Sequence, residues 1–199
     1  LRFWEAGPMP VAGEADVYRR VRMYMPRTYE DLAANYDVIV MHNANVLVVG
    51  PHIDKLARGV SKGGLGLLMS GGWESFGGTG SYAAWGETSI GRLLPTEDII
   101  GIWDESGRLV IDKHEHELVS SLPWDMNDPD LTASIKWHHN PVTLKPGAEQ
   151  LARAISSSRQ DPLMITWRLG KGARVFALTS EIHCLCWQGG LYGLSLIHI

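Results

Sequence analysis

Hydrophobic residues recur along the chain in short continuous runs bounded by glycine or by polar residues. The clearest run lies within Gly63–Gly78, where Leu65 to Met69 are apolar except for one glycine and a glycine pair follows Ser70. The segment at 36–42 shows the same character. Runs of this kind are typical of parallel strands that are covered on both faces. We therefore predict buried parallel strands at 36–42 and 65–70.

Helical patterns lie beside these two predicted strands. Pro51 can open a helix, apolar residues follow at helical spacing, and Gly63 and Gly64 stop it, so we predict a helix at 51–62. Strand, helix and strand in this order form a βαβ unit. Before the first strand, Thr28 followed by Asp31 predicts the capped start of a short helix.

The remaining pattern predicts further elements from alternation, turn residues and helical spacing. They are a strand at 20–25, a short helix at 88–92, a hairpin of strands at 99–103 and 108–111, a helix at 148–156, and a hairpin of strands at 163–169 and 174–179 around Gly170 to Gly172.

Composition narrows the classes of function. The chain has 199 residues, of which 45% are hydrophobic and 20% are charged, as in one ordinary soluble domain. The net charge is −4 and the basic residues are scattered, so we expect no nucleic-acid partner. No apolar run is long enough to predict a membrane span. Cys184 and Cys186 are too close in sequence to form an ordinary disulfide, which favours a reducing compartment and a cytoplasmic location.

The two ends of the sequence have unusual features. The chain begins at Leu1, which predicts that the natural amino terminus and any signal peptide are missing. Residues Leu194–Ile199 resemble the translation of a sequencing adapter, so we predict a non-native tail, with a short apolar strand as the alternative. One domain over residues 1–193 is expected.

Five segments, taken in order and spacing, carry a resemblance to a known family. They are residues 28–45, 63–78, 85–98, 116–125 and 161–183. Together they resemble the class I glutamine amidotransferase-like superfamily, in a branch related to trehalose-utilisation-type proteins. The resemblance implies an α/β fold, namely a flavodoxin-like three-layer α/β/α sandwich with a mostly parallel central sheet.

The resemblance also implies which residues occupy the catalytic positions. Class I amidotransferases carry a cysteine nucleophile on the turn after a central strand, and Ser70 stands there in this chain. Glu181 and His183 stand after a late strand, in the reverse of the usual order. The first hypothesis is therefore a domain without glutaminase activity and without a cofactor. An alternative is a hydrolase of an ester, amide or sugar-linked substrate, in which His183 activates Ser70 and Glu181 orients His183. The structural alternative is that Ser70 is only a small residue at a tight turn.

Residues that follow the two central strands predict a ligand site, because ligands of open α/β sheets bind at the carboxyl edge. The predicted ligand-binding residues are His42, Asn43, Gly71, Gly72, Trp73 and Glu74. We expect His42, Ser70 and His183 to line one concave site for a small polar molecule, with carbohydrate-related ligands included. For Trp73 the alternatives are a sugar-stacking face and buried packing.

A partner protein is the alternative occupant of the carboxyl edge, and an accessory interaction module of a larger protein is a third hypothesis. The alternating His114 and His116 suit either metal ligands or a solvated charged face, and no metal site is predicted.

Overall fold

The computed structural model describes residues 19, 21–77, 83–97, 101–103, 107–120, 134–135, 137–140, 142–170, 172–180 and 185–186. Within them, residues 21–24 are helical. The further helices are α1 (Tyr29–Asn35), α2 (Val46–Val49) and α3 (Ile53–Ser61), with 3₁₀ turns at Gly50–His52, Trp85–Glu87 and Gly91–Leu93. The strands are β1 (Val38–His42), β2 (Gly66–Ser70), β3 (Gly101–Trp103), β4 (Gly107–Ile111), β5 (Ser134–Ile135), β6 (His138–Asn140), β7 (Glu149–Ile155), β8 (Gln160–Leu169), β9 (Ala173–Leu178) and β10 (Leu185–Cys186).

The main sheet has eight strands in the order β1-β2-β9-β8-β7-β4-β5-β10. The pairs β1–β2 and β2–β9 are parallel, and every later pair along this order is antiparallel. Strands β3 and β6 form a separate antiparallel pair. The fold is therefore α/β with a mixed sheet, and the prediction of a mostly parallel sheet is not confirmed.

The predicted βαβ unit is present, since β1 and β2 are parallel neighbours and α3 connects them. Leu56 and Val60 of α3 share a buried cluster with Leu67 and Met69 of β2. The amphipathic spacing of α3 thus covers one face of the sheet beside β1, β2 and β9. No helix in the described part of the chain is long and apolar enough to cross a membrane.

Helix α1 begins where the sequence predicts. Thr28 Oγ1 accepts a hydrogen bond from the Asp31 amide at 3.0 Å, and the Asp31 carboxylate accepts one from the Thr28 amide at 3.3 Å. This reciprocal capping box satisfies amides that have no partner within the helix.

Strand β1 is covered on one face only. Met41 is 4% exposed, whereas Val38 and Val40, which point to the opposite face, are 48% and 61% exposed. A continuous apolar run therefore predicted the strand correctly but overstated its burial.

The predicted strand at 20–25 is wrong. Residues 21–24 are helical, and the Met25 amide donates to the Val21 carbonyl at 2.9 Å, the four-residue step of a helix. Val21 is buried, but Met23 and Tyr24 are exposed, so the alternation does not mark a buried strand face.

The predicted helix at 148–156 is also wrong, because this segment is strand β7. Its register against β8 shifts around Ala152, which is the signature of a bulge. The extra residue lets Leu151 and Ala154, three positions apart, both be buried. A bulged strand thus imitated the spacing of a helix.

Of the two predicted hairpins, one is confirmed. Strands β8 and β9 pair around Gly170 and Gly172, whose φ angles of +39° and +96° suit glycine. The predicted hairpin at 99–111 is wrong, since β3 pairs with β6 while β4 pairs with β5 and β7. The short helix predicted at 88–92 is replaced by a 3₁₀ turn, Gly91–Leu93, whose Gly91 amide donates to Thr88 Oγ1 at 3.1 Å.

Candidate functional site

The carboxyl ends of β1 and β2 bring His42 and Ser70 together. The parallel register places the two residues opposite each other, and Ser70 Oγ lies 2.6 Å from His42 Nδ1. The Ser70 side chain is fully buried, whereas His42 is exposed. The sequence paired Ser70 with His183 and Glu181 instead, and both of those residues lie outside the described part of the chain.

The backbone after Ser70 stays attached to β9. The Gly71 amide donates to the Leu178 carbonyl at 2.8 Å and to the Ser180 carbonyl at 3.0 Å. A Cβ atom on Gly71 would lie 2.8 Å from the carbonyl carbon of Ser180 and 2.9 Å from the Thr179 oxygen, which is closer than real side chains approach. Glycine is therefore required here by the close contact of two chain segments.

Gly72 is fixed between two side chains. Its φ is +154°, and a Cβ atom would lie 2.4 Å from Asn43 Oδ1. On the other side, His139 Nε2 lies 3.3 Å from the Gly72 nitrogen and 3.1 Å from the Gly72 oxygen. His139 is buried, and the rings of Phe76 and Trp137 meet it edge to face at 5.2 and 5.7 Å. No sequence pattern pointed to this role for His139, which is far from Gly72 along the chain.

The occupied amides bear directly on catalysis. In a serine hydrolase the amide after the nucleophile helps to stabilise the oxyanion. Here the Gly71 amide is bonded to two carbonyls, and the Gly72 amide faces the His139 ring. The Ser70 hydroxyl is buried and both amides already have partners. These contacts hold the loop in place and leave neither amide open to an oxyanion.

The loops after β1 and β2 are also tied to each other. Asn43, at a φ of +44°, accepts a hydrogen bond from the Glu74 amide at 3.0 Å. Asn45 donates to the Glu74 carboxylate at 2.6 Å. The buried Trp85 donates from Nε1 to the carbonyls of Ala44 and Glu74, at 2.9 and 2.8 Å. Glu74 therefore helps to hold the two loops together through both its backbone and its side chain.

Three residues at this edge face solvent, and we call them the edge patch: His42, Asn43 and Trp73. Trp73 is 70% exposed, so the alternative of buried packing is wrong for this residue. Asn43 touches both neighbours of Trp73 in sequence, through the Glu74 amide and the close approach of Gly72. The edge patch thus presents an aromatic ring, an imidazole and an amide on a fixed framework.

A cavity of about 440 Å³ opens at a different place. Phe76 and Gly77, at the far end of the glycine-rich loop, form part of its wall, and Arg92 and Lys145 form another part. Ser70 and His42 do not line it. The prediction that Ser70 lines a concave site is therefore wrong for the described residues, because the Ser70 side chain is enclosed.

Another buried polar cluster lies beside β6. His138 Nε2 is 3.2 Å from Asp161, and the Arg159 guanidinium holds both carboxylate oxygens of Asp161 at 3.1 Å. Burial alone raises the pKa of Asp161, but the hydrogen bonds from Arg159 and His138 together outweigh it and lower this pKa. Both carboxylate oxygens of Asp161 therefore have partners, whereas the buried Nδ1 of His138 has none within the described residues.

Metal-ligating side chains are not grouped in the described residues. No three His, Cys, Asp or Glu side chains there come close enough to hold an ion. Of the alternating pair considered above, His116 instead accepts a hydrogen bond from the Leu118 amide at 3.2 Å through Nδ1.

Comparison with known proteins shows the fold alone. No family model matches the chain, and no curated protein matches it. Its structure is similar to the cytoplasmic protein STM3548 from Salmonella typhimurium, with a TM-score of 0.66 and 18% identity over 87% of this chain and 79% of that one. It is also similar to the cytoplasmic protein STM1381 from Salmonella typhimurium LT2, with a TM-score of 0.66 and 20% identity over 89% of this chain and 79% of that one.

Proposed function

We propose that this chain is a class I amidotransferase-like domain, with a flavodoxin-like three-layer architecture, that binds a small polar ligand at the carboxyl edge of its sheet without hydrolysing glutamine. The resemblance in sequence supports the family, and the parallel β1–β2–β9 unit is compatible with it. A cytoplasmic location is part of the proposal, supported by the names of the two similar solved proteins.

The contrast between a closed Ser70 and an open edge patch carries this proposal. The Ser70 side chain has no exposed surface, while Trp73 is 70% exposed on a loop that hydrogen bonds hold in place. The large exposed ring of Trp73 is suited to stacking on a sugar ring, and the exposed side chains of His42 and Asn43 are suited to hydrogen bonding with its hydroxyl groups. Binding without turnover needs such an exposed surface but no accessible nucleophile.

Ligand binding is tested with a panel of neutral sugars, sugar acids and amino acids, glutamine included, by the shift in melting temperature. We expect at least one member to stabilise the protein in a saturable way, because a ligand that binds only the folded state raises its stability. Trp73→Ala removes the stacking face and abolishes the shift. Tyr24→Ala, which removes an aromatic ring that is also exposed, leaves it unchanged. A panel in which no ligand gives a shift that depends on Trp73 contradicts the proposal.

The absence of glutaminase activity follows from nucleophile chemistry. A serine hydroxyl has almost no anionic fraction at neutral pH, and the amides that follow Ser70 are engaged. We expect ammonia release from glutamine to equal that of a heat-denatured sample. Release above this level that disappears in Ser70→Ala contradicts the proposal.

A Ser70-dependent hydrolase is the second candidate, and one observation favours it. The distance of 2.6 Å between Ser70 Oγ and His42 Nδ1 is that of a nucleophile and its general base. Catalysis through this pair requires the loop at Gly71 to leave the end of β9, because substrate cannot otherwise reach the hydroxyl. A fluorophosphonate adduct found on Ser70 in the wild type, and lost in His42→Ala, supports this candidate. An unmodified Ser70 after prolonged exposure rules it out.

A further inference from the structure

The cavity of about 440 Å³ lies away from the Ser70–His42 pair. Its size is within the range of small-molecule sites, which is roughly 300–1,000 Å³. Because the edge patch is elsewhere, an inference about this cavity and the proposed function can fail independently of each other.

Backbone hydrogen bonds hold the walls of the cavity. The Lys145 amide donates to the Pro95 carbonyl at 2.9 Å, and the Glu97 amide donates to the Thr143 carbonyl at 2.9 Å. The two segments that carry these residues therefore run side by side as a short antiparallel pair. Such a wall is formed before any ligand arrives, which lowers the cost of ordering on binding.

The charges in the lining favour an anion. Among the described residues that line the cavity, Arg92 and Lys145 are the cations and Glu97 is the one acidic residue, so they carry one excess positive charge. Lys145 Nζ donates to the carbonyls of Gly91 and Arg92, both at 3.1 Å, which fixes its position. The Arg92 guanidinium is exposed and has no hydrogen-bond partner within the described residues. A planar guanidinium without a partner is well suited to a carboxylate or a phosphate.

The rest of the lining favours a ligand with hydroxyl groups as well. Thr96 is 3% exposed, and its hydroxyl has no partner among the residues that the structure describes. Because Thr96 lines the cavity, its hydroxyl is available to bond to a ligand there. Phe76 and Leu94 also belong to the wall, but they are only 1% and 3% exposed, so polar groups provide most of the contacts that a ligand can reach.

We propose that this cavity binds a sugar-sized metabolite through its phosphate or carboxylate group. Arg92 pairs with the anion, the Thr96 hydroxyl bonds to a polar group of the ligand, and the carboxylate of Glu97 accepts a hydrogen bond from a ligand hydroxyl. Lys145 adds positive charge beside Arg92.

Isothermal titration with glucose 6-phosphate, gluconate and glucose tests the proposal and separates the two kinds of anion. We expect one or both of the charged probes to bind with a Kd on the order of 1 mM or tighter, and glucose to bind at least ten-fold more weakly, about the effect of one charge-assisted hydrogen bond. Binding should weaken as salt is added, because an exposed guanidinium is screened. Failure of both charged probes to bind, or equal binding of glucose, overturns the proposal.

Two variants locate the binding. Arg92→Gln should weaken binding of the charged probe about ten- to a hundred-fold. Arg58→Gln, on the exposed face of α3 and outside the lining, removes the same charge and should change nothing. Thr96→Val replaces the hydroxyl with a methyl group and should weaken binding while its urea unfolding curve shows a folded protein. Binding that withstands both cavity variants, or that is lost only in Trp73→Ala, overturns the assignment to this cavity and leaves the edge patch as the site.

Discussion

Substitution of Gly72 by alanine tests whether the loop after Ser70 is held as tightly as the structure implies. The new Cβ atom would lie 2.4 Å from Asn43 Oδ1, 2.7 Å from Asn43 Cγ and 2.8 Å from Asn43 Cβ, at a φ of +154°. The Asn43 side chain must therefore move, and its hydrogen bond from the Glu74 amide is lost.

The expected cost is the sum of two effects. A non-glycine residue in such a backbone conformation costs about 1–3 kcal/mol, and the lost hydrogen bond costs about 1 kcal/mol more. We expect Gly72→Ala to lower the free energy of unfolding by about 2–4 kcal/mol, measured by urea denaturation with unchanged slope. Gly64→Ala is the matched control, because Gly64 has a φ of +79° but a Cβ atom there would meet no other atom within 4 Å. Gly64→Ala should lower the free energy of unfolding only through the strained backbone conformation, by about 1–2 kcal/mol.

A second substitution isolates the contact with Asn43. In an Asn43→Gly background the side-chain atoms that collide with the new Cβ are gone, so Gly72→Ala should cost only its backbone part, about 1–3 kcal/mol. The difference between the two backgrounds measures the coupling directly. Equal costs for Gly72→Ala and Gly64→Ala in the wild-type background would refute the reasoning about this loop.

Two other predictions concern the framework. Thr28→Ala removes the capping box with Asp31 and should lower the free energy of unfolding by about 1 kcal/mol in urea; no change would mean that α1 does not depend on its cap. For Asp161 the pKa in the folded state is lowered by Arg159 and His138 despite burial, so its contribution to stability is present above its ordinary pKa and is lost as pH falls through the lowered one. Asp161→Asn should therefore be less stable than the wild type at pH 7 and should show a flatter loss of stability below about pH 4; parallel pH curves would contradict this.

The parts of the fold that the sequence predicted are those decided by local physics. The Thr28 cap, the apolar runs of β1 and β2, and the glycines at Gly170 and Gly172 each act through neighbours within a few residues. Their local preferences agree with the final structure, so they could be identified without knowledge of the fold.

The predictions of secondary structure and pairing failed where contacts between residues far apart in sequence determine the fold. The bulge in β7 is set by pairing with β8, and its burial pattern imitates a helix. The partner of β3 is β6, which is far along the chain, so a local turn signal at 104–107 predicted the wrong pairing.

The candidate site was predicted in part. The sequence placed His42 and Ser70 at one edge because each ends a predicted parallel strand, and the register of β1 and β2 sets the two residues opposite each other. The sequence did not predict the hydrogen bond between them, because it assigned His183 as the partner of Ser70. The position of His139 against Gly72 had no such signal, because 67 residues separate them.

The most direct test of ligand binding without turnover is one nuclear magnetic resonance titration of histidine-labelled protein with the ligand found in the sugar, sugar-acid and amino-acid panel. The chemical shifts of the exposed His42 ring report binding at the edge patch. The resonances of the ligand report its chemical state in the same sample. We predict that the His42 signals shift in a saturable way while the ligand resonances stay unchanged for hours. Conversion of the ligand to a product by the wild type, but not by Ser70→Ala, would contradict the account and establish a hydrolase.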